Sequence, residues 1–526
     1  MSIQVELADP AITLHGWMPA MDSIGSYSLR VRKTPEEMKA EKERLKKDFG
    51  GNPKVSPVRF ERGTVIEHPE DDPSTAYILP GLWPRVKGWM EERGIKYEIT
   101  ADYRDPEIRP QIDYEAIKDV QFRETQDLAL ALVATADCGI IATTTSYGKS
   151  FLVGVICKAF PTLRILVCTG STMVVSTLYE YLCKQVPGEV GIIKNGKDTS
   201  HNKRVVVSTL RSINKIPPEG PQLVICDECH DVGATKSGQD LMKFCFARRF
   251  GLTASPIRND GSAIVMESIF GPIIMTMTYE EAQEAGMVTP MKYTMLKCNW
   301  VPNICHNLDL NEVLMKRYGY WQNTVRNRTI AKFVNDVHRA NRDAQILIIV
   351  ATLEHAIALH QHLPWFKVAS YGGSDLKEVS RHFKKEKYPD LDLSQYKMTQ
   401  KQLDIMRAAF AKGTLRFVIA TLVFRQGVSF DNLRVLVRAD GATSEIMGIQ
   451  IPGRLARLHE GKDFGYLIDV TDEGCVWTEK RAISRENLYK RQNWTKIKPE
   501  DVIHDLSATA SVNSSENTGS ESTEKS

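Results

Sequence analysis

No stretch of this 526-residue chain approaches the ~18 consecutive apolar residues of a membrane-crossing helix, so no membrane partner is expected. The opening, MSIQVELADPAITLHGW, has acidic residues and lacks an apolar signal core, so export is not expected either. A cysteine framework is also missing. The ten cysteines are scattered, and Cys157, Cys168 and Cys226 fall in apolar runs that read as strands. They read as reduced, buried thiols of a cytoplasm-like compartment. Charge of one sign is absent as well: 68 Lys and Arg against 65 Asp and Glu leave +3. Bulk charge therefore neither demands nor excludes a nucleic acid, and any binding surface must be local.

What is present is globular. The chain is 42% hydrophobic and 25% charged, and its length suits about two to four domains. Residues 1–112 read as a small α/β domain. In it TPEEMKAEKERLKKDFGG predicts a solvated helix with Thr34 as cap, Glu37 completing the capping box and Gly50-Gly51 as its stop, and GLWPRVKGWMEERGIKYEITADYR predicts a helix, a turn at Gly94 and a strand. From 113 to 292 the β-branched runs CGIIA, RILVC, RVVVST, QLVICD and RRFGLTAS recur. Helical-length segments separate the earlier ones, the mark of a parallel sheet with crossover helices. A second series, AQILIIVAT, RFVIAT, LRVLVRAD and FGYLIDV, fills 293–480. The fold class expected is α/β, with two tandem parallel-sheet domains. A basic helical segment, 481–506, and a disordered tail, 507–526, follow.

The stretch ATTTSYGKSF raises the chemical question. A phosphate loop of the form G-x-x-x-x-G-K-[ST] asks for glycine at 143, and this chain has Thr143. Gly148, Lys149 and Ser150 do match, at a strand end where a helix begins. Helix N–H groups favour phosphate there. Lys149 would reach the β- and γ-phosphates, and Ser150 would hold Mg2+. The deciding partner is QLVICDECH, whose strand delivers Asp227 to the metal's hydration shell and Glu228 to the attacking water. Together the two motifs point to ATP with Mg2+. CDECH also matches a haem-attachment string, and Cys226, Cys229, Cys298, Cys305 and His306 offer a zinc set. Neither has supporting context, and core thiols account for these cysteines better.

With TSYGKS and DECH in place, the chain resembles the superfamily 2 helicases, and among them most the UvsW-type recombination helicases of bacteriophages. The resemblance spans about 113–480 and implies two RecA-like domains with ATP between them. It implies nucleotide contacts from Arg123 and Gln126 in FRETQ, and from Thr145, Ser146, Tyr147, Gly148, Lys149 and Ser150. Ser146 stands where most relatives have glycine. VVVSTLRSI implies a phosphate contact at Thr209, and RRFGLTASPIR a coupling role for Thr253 and Ser255. FVIATLVFRQGVSFDNL implies a strand contact at Thr421 and a nucleotide contact at Gly427, with Ser429 where many relatives have aspartate. QIPGRLARLHEG implies that Gln450, Arg454 and Arg457 act in catalysis beside Gly453. The two arginines, three apart, are expected on one helical face as arginine fingers.

The function so implied is an ATP-dependent DNA helicase or translocase that unwinds or branch-migrates forked and junction DNA. The expected setting is the bacterial host cytoplasm, as a monomer beside recombination or replication proteins. An RNA helicase, a restriction-enzyme motor and a binding module with a weak nucleotide site are the alternatives. ENLYKRQNWTKIKP offers further nucleic-acid contacts through Lys490, Arg491, Trp494 and Lys496, or else a terminal helix packed on the second domain.

Overall fold

The computed structural model describes residues 3–7, 12–32, 35–49, 58–102, 111–234, 240–244, 247–254, 263–299, 312–369, 376, 379–381, 383, 391–421, 424 and 430–519. Side chains are described for these outside 27–35, 45–63, 102, 233–234, 445–447 and 510–519. The chain divides into two compact units, Met1–Thr143 with Gly148–Met277, and Thr278–Ser526 with Thr144–Tyr147.

The first unit opens with a five-stranded sheet in the order Ile66–Glu67, Thr75–Ile78, Ile12–His15, Ile3–Leu7, Tyr97–Asp102. Its strands alternate: Ile3, Val5 and Leu7 are buried while Gln4 is exposed, the period-two pattern of a sheet covered on one face. Helix Trp83–Glu92 adds Val86 and Met90 to the same core. The predicted solvated helix forms as Pro35–Phe49; its cap Thr34 lies outside the described residues. This sheet is fixed to the following one. Arg85 makes a two-pronged pair with Glu267 (Nε to Oε1 2.8 Å), and Ile264 joins the first core. A Cβ at Gly81 would lie 2.5–2.6 Å from Glu267 O, Ser268 O and Gly271 N. Glycine there is what lets the chain reach helix Ala263–Phe270.

The apolar runs of the next region become an eight-stranded sheet. Its order is Lys197–Asp198, Val190–Lys194, Val205–Thr209, Ile165–Thr169, Leu223–Asp227, Arg248–Thr253, Cys138–Thr143, Ile273–Met277. Every pairing but that of Lys197–Asp198 is parallel. Strand Leu223–Asp227 is buried throughout, as a strand covered on both faces must be. Cys168 and Cys226 lie in strands as expected, whereas Cys157 lies in helix Lys149–Ala159. There the 3.6-residue spacing of a wholly apolar segment also buries it.

The second unit carries a seven-stranded parallel sheet in the order Lys367–Ala369, Phe417–Ala420, Gln345–Ile349, Leu433–Arg438, Gly465–Glu473, Met291–Asn299, Thr495–Lys496. The expected boundary at 292/293 falls inside strand Met291–Asn299, which pairs along its length with Gly465–Glu473. The units part at 277/278 instead. The boundary at 480/481 likewise falls inside helix Val476–Arg491. Trp494 is 5% exposed and stacks on Tyr489 at 5.4 Å, and Lys496 reaches Glu486 at 2.6 Å. Trp494 and Tyr489 also meet Tyr279 and Tyr293 edge-on at 6.0 and 5.3 Å, so the ENLYKRQNWTKIKP segment packs on its own unit, while Lys490, Arg491 and Lys496 are exposed.

The disordered tail expected over 507–526 needs correction. Helix Pro499–Gly519 runs through 507–519, and 520–526 lie outside the described residues. Val502 and Leu506 are buried against the core, and Asn341 Nδ2 donates to Leu506 O at 3.1 Å. With that first stretch nucleated by packing, each further residue adds a backbone hydrogen bond at small cost, even without an apolar face.

Gly81→Val should cost about 1–3 kcal/mol, as overpacking against unyielding backbone does. Urea unfolding of the full chain would show it, with faster proteolysis of the first 102 residues.

Candidate nucleotide site

Strand Cys138–Thr143 ends against the loop that starts helix Lys149–Ala159. Two loop positions are left-handed, Ser146 at φ +75° and Gly148 at φ +97°. Gly148 caps the helix, so the free N–H groups of the first helical turn, which begins with Lys149 and Ser150, form an anion-seeking end. Thr143 Oγ1, 1% exposed, has no hydrogen-bond partner among the described residues.

Asp227 ends the central strand beside Thr169 and Leu252 of its neighbours. Its carboxyl is pushed up to about 7, chiefly by burial and next by Glu228, while Lys149 pulls the other way. A carboxylate so held favours a cation as its partner. Glu228 follows at once in left-handed backbone, φ +54°. Its N–H donates to Asp227 Oδ1 at 3.1 Å. Its Oε2 lies 3.3 Å from Nδ1 of His230, whose same nitrogen is 3.0 Å from Thr253 Oγ1. His230 is 1% exposed. This imidazole therefore joins the acidic strand end to the strand that carries Thr253. Sequence reasoning gave it no role, since His230 stood only as the last letter of DECH and of the haem string CDECH.

Gln126 comes to this site too. A Cβ at Gly148 would lie 2.9 Å from its Nε2, and its Oε1 accepts from Arg123 N at 2.9 Å. Phe122 packs edge-on against Phe151 of the helix at 6.5 Å, which anchors FRETQ. Arg123 is exposed and Thr145 half-buried, but Tyr147 is fully buried. Tyr147 can offer nucleotide only its backbone. Thr209 is 4% exposed and its Oγ1 donates to Ser212 at 2.9 Å. The expected phosphate contact must compete with that bond. Ser255 lies outside the described residues, as do Gly427, Gln426 and Ser429.

In the second unit Thr421 N donates to Ala369 O at 3.2 Å, at the end of strand Phe417–Ala420. The arginine segment departs from the single helical face expected. Helix Glu445–Gln450 stops, Pro452–Arg454 forms a 3-10 turn, and Arg457 stands beyond it. Pro452 has no N–H to continue the helical ladder. Arg454 lies over the Phe430 ring at 5.1 Å, and Arg457 Nη1 is 3.4 Å from Asp431 Oδ1.

The thiols of the alternative readings are buried. Cys226 and Cys229 are 0% exposed, and burial is the first cause that raises both thiols well above the usual range. Such thiols are poor thiolate ligands. Cys305 and His306 lie outside the described residues, and no group of three ligating side chains occurs among the described ones.

Residues 113–258 match the family described as type III restriction enzyme, res subunit. Over 387 residues the chain is 24% identical to putative helicase 22 of Sulfolobus islandicus filamentous virus, covering 67% of this chain and 64% of that one. Over 306 residues it is 24% identical to the ATP-dependent DNA helicase uvsW of Enterobacteria phage T4, covering 55% and 54%. The chain thus spans less than two thirds of each of these relatives. Among solved structures, S. cerevisiae Dbp5 bound to RNA and ADP BeF3 shares the fold. The TM-score is 0.52 at 12% identity, over 78% of this chain and 98% of that one.

Ser146 pays for its left-handed backbone. Ser146→Gly should therefore stabilise the nucleotide-free protein by about 1 kcal/mol, and Ser146→Val should destabilise it. Urea titration of the three proteins at one pH checks both.

Proposed function

We infer, for a chain of the superfamily 2 helicase type, that it hydrolyses ATP to move along DNA and remodels forked and four-way branched DNA. One observation carries the ATP half: Lys149 and Ser150 open a helix at the sheet edge where a buried strand presents Asp227 and Glu228. Lys149 and the helix N-terminus bind the phosphates. Glu228 accepts a proton from the attacking water on a carboxylate oxygen and orients that water in line with the γ-phosphate. His230 holds Glu228 and Thr253 in one arrangement, so a change at the water is felt at the strand end that carries Thr253.

The residues fit Mg2+, an ion that takes most of its ligands from water and phosphate rather than from a protein cage. Ser150 Oγ and, through water, Asp227 would hold it, and it would neutralise charge on the phosphates. Arg454 and Arg457 are the arginines we assign to the γ-phosphate, and Gln126 to the base. The DNA half is supported by the DNA helicase named among the relatives. The five-stranded sheet of the first unit, tied to helix Ala263–Phe270 through Arg85 and Glu267, also supports it. Remodelling a junction needs a second grip on duplex while one strand moves.

Lys149→Ala should weaken nucleotide binding and abolish turnover, whereas Glu228→Gln should keep ATP bound and stall hydrolysis. Arg454→Ala should lower kcat by roughly 10³–10⁵ with little change in affinity. Fluorescent-nucleotide titration beside steady-state ATPase separates the three, and a Glu228→Gln protein with normal turnover removes the assignment of the base.

ATPase stimulation and strand displacement on matched fork, four-way junction, linear duplex and RNA at fixed salt should rank branched DNA first. Equal response to linear DNA removes the branch preference. A preference for RNA removes DNA as the substrate.

A further inference from the structure

We propose that Lys462 is a positioning residue for ATP turnover: its ammonium ties the backbone of Arg457 to that of Asp431 and so sets where the Arg457 guanidinium stands. The proposal rests on the assignment of Arg457 to the γ-phosphate. Nothing in the Q-x-x-G-R-x-x-R pattern includes Lys462, which lies five residues beyond it.

The physical case begins with the backbone. Past the 3-10 turn at Pro452–Arg454 the chain runs through turns and bends to Gly461. No helix or strand uses the carbonyls there, so each must find a donor elsewhere. Arg457 O finds two. Lys462 Nζ lies at 2.9 Å and Thr289 Oγ1 at 2.9 Å. The same Lys462 Nζ reaches Asp431 O at 3.2 Å, and Asp431 in turn receives Arg457 Nη1. Arg457 is thereby held at both ends, by its carbonyl and by its guanidinium, with Lys462 closing the loop.

Lys462 is 6% exposed. A lysine rarely surrenders its hydration without fixed acceptors to replace it. Burial, helped by Arg434 and Arg457 and opposed by Asp431, brings its ammonium down to about 7. A surface lysine with a chance contact would not be so shifted. Thr289 adds its own N–H to Ala456 O at 2.8 Å, and Tyr279 OH holds Thr289 O at 2.7 Å. The segment is therefore clamped from two directions. Arg454 is held separately, by its own 3-10 turn and the Phe430 ring.

The test is a double-mutant cycle on the full chain, with steady-state ATP turnover on forked DNA for wild type, Lys462→Met, Arg457→Ala and the double variant. Lys462→Met should lower kcat about tenfold with less than a twofold change in KM for ATP. The double variant should match Arg457→Ala, because a residue that acts only through Arg457 has nothing left to position. An equal loss with and without the Arg457 guanidinium would make Lys462 a general structural residue and overturn the proposal. So would a Lys462→Met protein with wild-type kcat. If Arg457→Ala itself turns over normally, the assignment of Arg457 falls first and takes this one with it. Should Lys462→Met fail to fold, Thr289→Val removes the other donor to the same carbonyl. It should give about a threefold loss of kcat that likewise vanishes in the Arg457→Ala background, and persistence of that loss would overturn the proposal.

Discussion

A carboxylate kept out of water at the end of the central strand is the constraint around which the first unit is arranged. Strand Leu223–Asp227 has a parallel neighbour on each side and no exposed residue. Asp227 is placed by the sheet register itself rather than by a loop. Its charge is costly there, which is why its carboxyl is held up near neutrality. The Lys149 ammonium and the Glu228 N–H offset part of that cost, and the same Lys149 opens helix Lys149–Ala159, whose first-turn N–H groups favour an anion. Glu228 pays a second cost, a left-handed backbone that a β-carbon disfavours by roughly 1–2 kcal/mol. The hydrogen-bonded group of Asp227, His230 and Thr253 around it over-determines that turn.

The second unit solves a different problem with buried charge. Arg485 with Asp469, Arg438 with Asp440, and Arg326 with Asp472 are all nearly inaccessible to solvent. Two of these aspartates differ instructively. Burial raises both, but Asp469 also accepts from Arg485, Tyr489 and Val470 N, and with Arg485 and Arg438 near it ends below its ordinary value. Asp472 has its Oδ2 without a partner among the described residues and ends above. Such pairs are weak sources of stability but define a geometry. Here the same three arginines, joined by Arg481, donate to one stretch of backbone: Arg326 to Ala439 O, Arg438 to Ala442 O, Arg485 and Arg481 to Gly441 O. That stretch leads into helix Glu445–Gln450 and the Arg454 turn, so buried charge steadies the approach to the arginine segment. Lys462 steadies its exit.

How much of this was readable in advance depended on how far each interaction reaches along the chain. Strands covered on both faces must be apolar throughout, so QLVICD, RILVC and AQILIIVAT announced two parallel sheets without reference to anything distant. GKS and DECH are equally local: a turn, a helix start and two carboxylates at a strand end, each within a few residues. Gln126 could be named because FRETQ is contiguous, and its Nε2 lies beside Gly148.

The amino-acid sequence alone therefore determined the α/β class, the two parallel sheets and the placement of GKS at a helix start and of Asp227 at a strand end, because hydrophobic period and short motifs carry them. Only the tertiary structure decided which buried arginine meets which aspartate, as with Arg326 and Asp472, 146 positions apart. It also decided that His230 bridges Glu228 and Thr253, that Thr209 spends its hydroxyl on Ser212, that Trp494 is a core residue, and that Lys462 ends on the carbonyl of Arg457. Each of these depends on which backbone carbonyls and side-chain atoms lie within about 3 Å after packing. That distance is set by strand register and helix docking, to which no local pattern of residues is bound.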